Sequence, residues 1–255
     1  MRRPTPYGVL AVCTIALTVS IAVGRADGTR PQQPPWKAKN LRYFPADITR
    51  QALTQRMREF CFALAVRCQY CHAGGDGVSF DGVDFASDEK PAKRKARAML
   101  KMMDQINQSL LAEIPSRADP RVDVTCVTCH HGLPLPKSLQ TTLLEIIDKD
   151  GAPAAVERYR KLRAEDTLSG RYNFDQWEIN ELARILAAKN PSAAIAMLEM
   201  NGEFYPKSSA IDFQIGELLR AGGEREKALQ RYRQALAKDP QNDAIKQRIA
   251  EMEKQ

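Results

Sequence analysis

Four of the six cysteines form two short motifs with the same spacing and the same following residue. The motifs consist of Cys68, Cys71 and His72, and of Cys126, Cys129 and His130. Two thiols in a C-x-x-C-H motif can add across the two vinyl groups of one haem, and the adjacent histidine then binds the iron from one side. Each motif therefore predicts one covalently attached haem c, with its histidine as the proximal iron ligand.

Closely spaced cysteines also occur in two other kinds of site. The four cysteines could form two disulfide bonds, or they could bind one zinc ion together. Neither alternative explains why two of the three histidines in the chain directly follow a C-x-x-C pair. By composition this coincidence has a chance of about one in ten thousand. The sequence therefore favours two haems c in one chain.

A haem that transfers electrons needs a second axial ligand, usually a methionine or a histidine. The third histidine, His131, directly follows His130 and cannot easily reach the opposite face of the same haem. We expect it at the protein surface. Methionines are therefore the better candidates for the distal ligands, and two helical patterns place methionines ahead of the two motifs.

The first pattern predicts a helix from Asp47 to Val66, with Asp47 as its N-cap. Its apolar face comprises Leu53, Met57, Phe60 and Leu64. Met57 thus faces inward on the helix just ahead of the first motif. It is either a distal iron ligand or an ordinary core methionine, since methionine fills gaps well.

The second pattern predicts a helix that begins at Pro91, because proline is favoured at the first helical position. Its apolar stripe comprises Ala92, Ala96, Met99, Met103, Ile106 and Leu110. Met99 and Met103 both face inward in this pattern, and Met102 lies off the stripe. Periodicity alone does not choose between Met99 and Met103.

The stretch from Asn40 to Pro136 resembles the cytochrome c subunit of photosynthetic reaction centres and its non-photosynthetic relatives. The matching segments are ALAVRCQYCH (63–72), DFASDEKPAK (84–93), ARAML (96–100) and TCVTCHHG (125–132). In that family a helix ahead of each haem motif carries a methionine that binds the iron. The resemblance therefore implies Met57 for the first haem and Met99 for the second. It does not imply that the chain serves a reaction centre.

Three further features of this half have less specific interpretations. Cys61 remains unpaired after haem attachment, and we expect a buried structural thiol, with a redox or linking role as the alternative. The glycine-rich segment 74–77 is predicted to form a turn. A basic cluster is expected to be a solvated face, or else a surface for an acidic redox partner or the haem propionates. The cluster comprises Lys90, Lys93, Arg94, Lys95 and Arg97.

Residues 1–26 have the pattern of a signal peptide: basic residues, an apolar run from Val9 to Val23, and small residues up to Ala26. An uncleaved membrane anchor is the alternative, although the run is shorter than the ~20 residues that a span prefers. Residues 27–40 are predicted to form a proline-rich linker. We therefore expect a periplasmic or otherwise exported protein, with membrane association left open.

The net charge does not indicate a nucleic-acid partner. The formal charge is +7, but Arg2, Arg3 and Arg25 lie in the predicted signal peptide, and haem propionates would offset more of it. Moreover, no run of lysine and arginine is interleaved with aromatic residues. We therefore expect protein redox partners and no nucleic acid.

Residues 141–255 contain neither cysteine nor histidine and repeat with a period of about 34 residues. The last copy contains Ile215, Gly216, Leu219, Ala228, Tyr232, Ala235 and Pro240, and an earlier copy contains Ala194, Leu198 and Pro206. These offsets resemble tetratricopeptide repeats, which bind proteins in a concave groove. We expect a docking domain, and the alternative is a helical domain that only stabilises the haem domain.

The sequence as a whole predicts an all-α fold, with a dihaem cytochrome c domain at 41–140 and a helical-hairpin solenoid at 141–255. The expected function is electron transfer between redox partners, without enzymatic activity. A dihaem enzyme, or a haem-based small-molecule sensor with one open distal site, is the alternative. We find no constellation of histidine, arginine and carboxylate residues that favours catalysis.

Overall fold

The computed structural model describes residues 36–116, 120–166 and 170–254, and Ala38–Gln255 form one compact unit that includes both predicted domains. The regular structure of the described ranges is helical apart from one two-stranded sheet, which confirms the all-α prediction. The predicted signal peptide and most of the predicted linker lie outside the described residues. No helix in the described ranges has the length and apolar character needed to cross a membrane.

Ten α-helices and one small sheet make up the described structure. The helices are α1 Arg50–Leu64, α2 Pro91–Gln108, α3 Cys126–His130, α4 Leu139–Asp150, α5 Ala152–Glu165, α6 Gln176–Leu186, α7 Pro191–Phe204, α8 Ser209–Ala221, α9 Arg225–Lys238 and α10 Asp243–Lys254. Short 3-10 helices span Cys68–Tyr70 and Leu110–Glu113. Strands β1 (Ala73–Gly74) and β2 (Val83–Asp84) pair antiparallel, with Ala73 opposite Asp84.

Helix α1 has the predicted apolar face but not the predicted N-cap. Leu53, Met57, Phe60 and Leu64 are all partly buried. The helix begins at Arg50 because the hydroxyl group of Thr49 accepts a hydrogen bond from the backbone N–H of Ala52, at 3.1 Å. The prediction of Asp47 as the N-cap is wrong. The chain turns just before the helix, where the N–H of Ile48 donates to the carbonyl of Pro45.

Helices α4 to α9 pack as three consecutive pairs, and α10 covers the end of the stack against α9. The first helices of neighbouring pairs are in contact. Gln140 of α4 donates a hydrogen bond to one backbone carbonyl of α6, and Gln214 of α8 donates to a second carbonyl of α6. The second helices are joined by ion pairs of Arg160 with Glu203 and of Arg231 with Glu199. One continuous core runs from Leu139 to Met252.

Apart from the two prolines, the repeat positions identified in the sequence are buried where these helices pack. Ala194, Leu198, Ala228, Tyr232 and Ala235 are fully buried. Gly216 lies against the ring of Tyr232, and a Cβ atom at this glycine would come within 2.6 Å of the ring. The small residues therefore allow α8 and α9 to approach closely, as the repeat pattern predicts.

This close approach predicts different effects for the same substitution at two helical glycines. Gly216→Ala should cost about 1–3 kcal/mol of overpacking against Tyr232. Gly202→Ala places its Cβ at 3.8 Å from Ile211, so its effect should be neutral or stabilising by up to about 1 kcal/mol. Urea unfolding followed by circular dichroism measures both. Equal stability of the two variants would show that the ring of Tyr232 does not pack tightly against Gly216.

Candidate haem sites

Each of the two C-x-x-C-H motifs forms its own tight turn. In the first, the N–H groups of Cys71 and His72 donate to the carbonyl of Cys68 at 3.1 and 3.0 Å. The second is the short helix α3, in which the side chain and backbone of Thr125 and Thr128 cap each other. Residues i, i+3 and i+4 share one face of a helical turn. The two thiols and the imidazole of α3 are thus placed on one side.

The imidazole of His130 is oriented by a backbone carbonyl. Its Nδ1 atom lies 2.8 Å from the carbonyl oxygen of Leu133. Since a carbonyl can only accept, Nδ1 is the protonated nitrogen, and Nε2 keeps the lone pair that binds a metal. This arrangement suits a proximal iron ligand. Sequence reasoning did not identify Leu133, because its contribution is a backbone atom that no residue pattern marks.

The imidazole of His72 is buried beside the small sheet. Its ring contacts the ring of Phe85 at a centroid distance of 5.0 Å. Burial, together with the charge of Lys93, lowers the pKa of His72 and so favours the neutral imidazole that binds iron. Its Nδ1 atom is buried without a hydrogen-bond partner in the described structure.

The state of the cysteines bears on the alternative disulfide and zinc sites. Burial raises the pKa of the Cys71 and Cys126 thiols. The described cysteines are free thiols. Within the described ranges no three histidine, cysteine or acidic side chains form a group that could hold a metal ion. The geometry of a four-cysteine zinc site is therefore lacking there.

Helix α1 contacts both motifs. It packs against α3, and the N–H of Gly132 donates to the carbonyl of Ala63 at 2.9 Å. On the same helix, Cys61 is partly buried next to Cys68; burial first, and then this neighbour, raises the pKa of the Cys61 thiol. Met57 lies one turn before Cys61 and is partly buried. Its role as an iron ligand stays a prediction.

The methionines of α2 are placed differently from the prediction. Met103 is partly buried, whereas Met99 is 49% exposed and lies outside the packed protein face of the helix. The packed face of α2 is centred on Leu100 instead, because polar residues on that face bind distant groups. Arg97 forms an ion pair with Asp88 at 2.8 Å, and the carboxylate of Asp104 accepts a hydrogen bond from Tyr43. Met99 and Met103 occupy the neighbouring stripe.

Part of the basic cluster binds backbone carbonyls of neighbouring segments. The prediction of a solvated face is therefore wrong for Lys93 and Arg97. Lys93 donates to the carbonyls of Phe85 and Ser87 at 2.8 and 2.7 Å. Arg97 donates to the carbonyl of Asn40 and holds the pKa of Asp88 well below its usual range. Lys90 also donates to the carbonyl of Gln69 inside the first motif. The cluster therefore ties α2 to the first motif and to the loop that carries Phe85.

The all-α fold and the two C-x-x-C-H turns indicate the class of c-type cytochromes. A family model described as the photosynthetic reaction centre cytochrome C subunit matches residues 39–177, more than half of the chain. The chain belongs to this family. Membership implies covalently bound haem c and a role in electron transfer. The match extends past the second motif and through α4 and α5 to the start of α6.

One curated relative gives a shorter match. Cytochrome c-554 of Chloroflexus aurantiacus (strain ATCC 29366 / DSM 635 / J-10-fl) is 38% identical over 72 residues. These residues make up 28% of this chain and 15% of the relative. The match therefore covers a small part of the length of that protein.

Proposed function

We propose that this protein carries two haems c and transfers electrons between redox partner proteins outside a cytoplasmic membrane. The observation that supports this most is the pair of complete C-x-x-C-H turns, both in contact with α1. Export is proposed from the signal-peptide pattern of residues 1–26. Attachment of haem c outside the membrane is consistent with that pattern.

Each haem would have two axial ligands from the chain. The first haem is assigned to Cys68, Cys71, His72 and Met57, and the second to Cys126, Cys129, His130 and Met99. When bound, haem iron supplies a one-electron redox change, and the protein sets its potential and its access to partners. Methionine as a ligand raises the potential relative to a second histidine. Two protein ligands for each iron would distinguish this carrier from the alternative dihaem enzyme or sensor.

Carbon monoxide tests whether the axial positions are filled. The reduced, folded protein should show no change in its visible spectrum on addition of carbon monoxide, because His72, His130 and two methionines would leave no iron ligand position free. Unfolding in urea should then allow binding and provides the positive control. Stoichiometric binding to one haem of the folded protein would favour the enzyme or sensor instead.

The helical hairpins supply a surface for docking a redox partner. Among the described residues of that half, the exposed large apolar side chains are Trp177 and Ile185, at 60% and 44%. Both lie on α6, in the layer of first helices. Tryptophan is over-represented among the residues that carry most of the binding energy at interfaces. A docking surface tethered to the haems raises the local concentration of the partner.

Replacing Trp177 tests this docking surface without truncating the continuous core. Trp177→Ala should leave the spectrum and potentials unchanged and slow reduction of the cytochrome by its native membranes several-fold. Trp177→Phe keeps an aromatic side chain and should retain most of the rate. An unchanged reduction rate in Trp177→Ala would show that α6 is not the docking surface. A loss of haem in this variant would indicate that the hairpins stabilise the haem domain.

A further inference from the structure

A cationic cavity of about 290 Å³ lies against the second haem motif. Its lining includes Cys129 and His130 of the motif, and two basic side chains, Lys137 and Arg171. Arg171 belongs to the segment between α5 and α6, 41 positions after His130 in the chain. The hairpin half therefore contributes a charged residue to the surroundings of the second motif.

The position of Arg171 is determined by several contacts. The carboxylate of Asp166 accepts hydrogen bonds from the backbone N–H groups of Arg171 and Tyr172, at 3.2 and 3.0 Å. The carbonyl of Phe174 accepts a hydrogen bond from Arg163 at 2.9 Å. Gly132 leaves room for the side chain of Arg171, since a Cβ at this glycine would lie 3.3 Å from Nε. Asp166 thus fixes the backbone at Arg171, and the Arg171 side chain lies against Gly132, just after α3.

The Nε atom of Arg171 is buried and has no hydrogen-bond partner in the described ranges. A buried donor without an acceptor loses its hydration without compensation. Lys137, the other cation of the cavity, forms an ion pair with Glu145 at 2.6 Å. Arg171 is therefore the basic residue of this cavity whose buried donor is available for a further acceptor.

We propose that Arg171 binds a propionate carboxylate of the haem attached to Cys126 and Cys129. The planar guanidinium matches the two oxygens of a carboxylate, and the propionates are the carboxylates of haem c. This inference rests on the proposed second haem. It makes Arg171 a positioning residue that links the hairpin half to the haem. A positive charge close to a haem favours the reduced state, because reduction adds an electron.

Potentiometric titration of the purified holoprotein tests this proposal. Arg171→Gln should lower the midpoint potential of one haem by up to about 59 mV, which corresponds to a tenfold change in the equilibrium constant of a one-electron couple. The potential of the other haem should be unchanged. Arg171→Lys keeps the charge and should give a smaller shift. Arg184→Gln removes a charge that is paired with Glu181 on α6, and it should shift neither potential.

A second measurement covers the case in which Arg171→Gln does not fold. The propionate bending band in the resonance Raman spectrum of Arg171→Lys should differ from that of the unmodified protein. The proposal would be overturned if the potentials of Arg171→Gln equal those of Arg184→Gln. It would also be overturned if the propionate band of Arg171→Lys is unchanged. An unmodified protein with fewer than two haems would instead contradict the proposed function itself.

Discussion

Met57→Ala should leave both haems attached and make one iron accessible to carbon monoxide. The substitution removes the proposed distal sulfur ligand without changing the thiols or the proximal histidine. The midpoint potential of that haem should fall, since the methionine ligand favours the reduced state. Its weak sulfur-to-iron absorption band should disappear. Loss of the haem itself would show that Met57 acts mainly in the core.

The three methionines of α2 provide matched variants for the second haem. Met99→Ala should remove the remaining sulfur-to-iron band, and Met102→Ala should retain it. Met99 and Met102 are almost equally exposed, at 49% and 48%, so a difference between them does not reflect burial. If Met103→Ala removes the band and Met99→Ala does not, the assignment based on the family resemblance is wrong.

Replacing Cys126 and Cys129 together by serine should reduce the covalent haem content from two per chain to one. The second motif would then lack both thiols, whereas the first motif is unchanged. Cys61→Ser is the matched control and should retain two haems, because Cys61 lies outside both motifs. Haem staining and intact mass under denaturing conditions measure the content. A haem lost from Cys61→Ser would instead place this thiol in the attachment chemistry.

The turns of the two C-x-x-C-H motifs were predictable from sequence because their geometry is local. Cys68 and His72 are four positions apart, and one turn is sufficient to bring the thiol and the imidazole together. The apolar face of α1 was also predictable, since periodicity over a helix reports which side is packed. The close contact at Gly216 followed from the same kind of local pattern, repeated along the chain.

The orientation of α2 was not predictable in this way. Its packed face depends on the ion pair of Arg97 with Asp88, on the carbonyl of Asn40 and on the hydrogen bond from Tyr43 to Asp104. Asn40 and Tyr43 are 57 and 61 positions away from their partners. Hydrophobic periodicity does not report such long-range polar contacts. It therefore placed Met99 on the inward face, whereas the structure leaves it half exposed.

The same limit applies to Arg171. No sequence motif marks an arginine 41 positions after the second haem motif, and its proximity to Gly132 arises only from the packing of the hairpins. The cap of α1 illustrates a smaller difficulty. Asp47 and Thr49 are both suitable N-cap residues two positions apart, and the turn at Pro45 decides between them.

The covalent haem content of the full chain tests the central claim most directly. A pyridine haemochrome assay, combined with the protein concentration and the intact mass, gives the number of haems c per chain. We predict two. A single haem, or bound zinc without any haem, would contradict the assignment of both C-x-x-C-H turns.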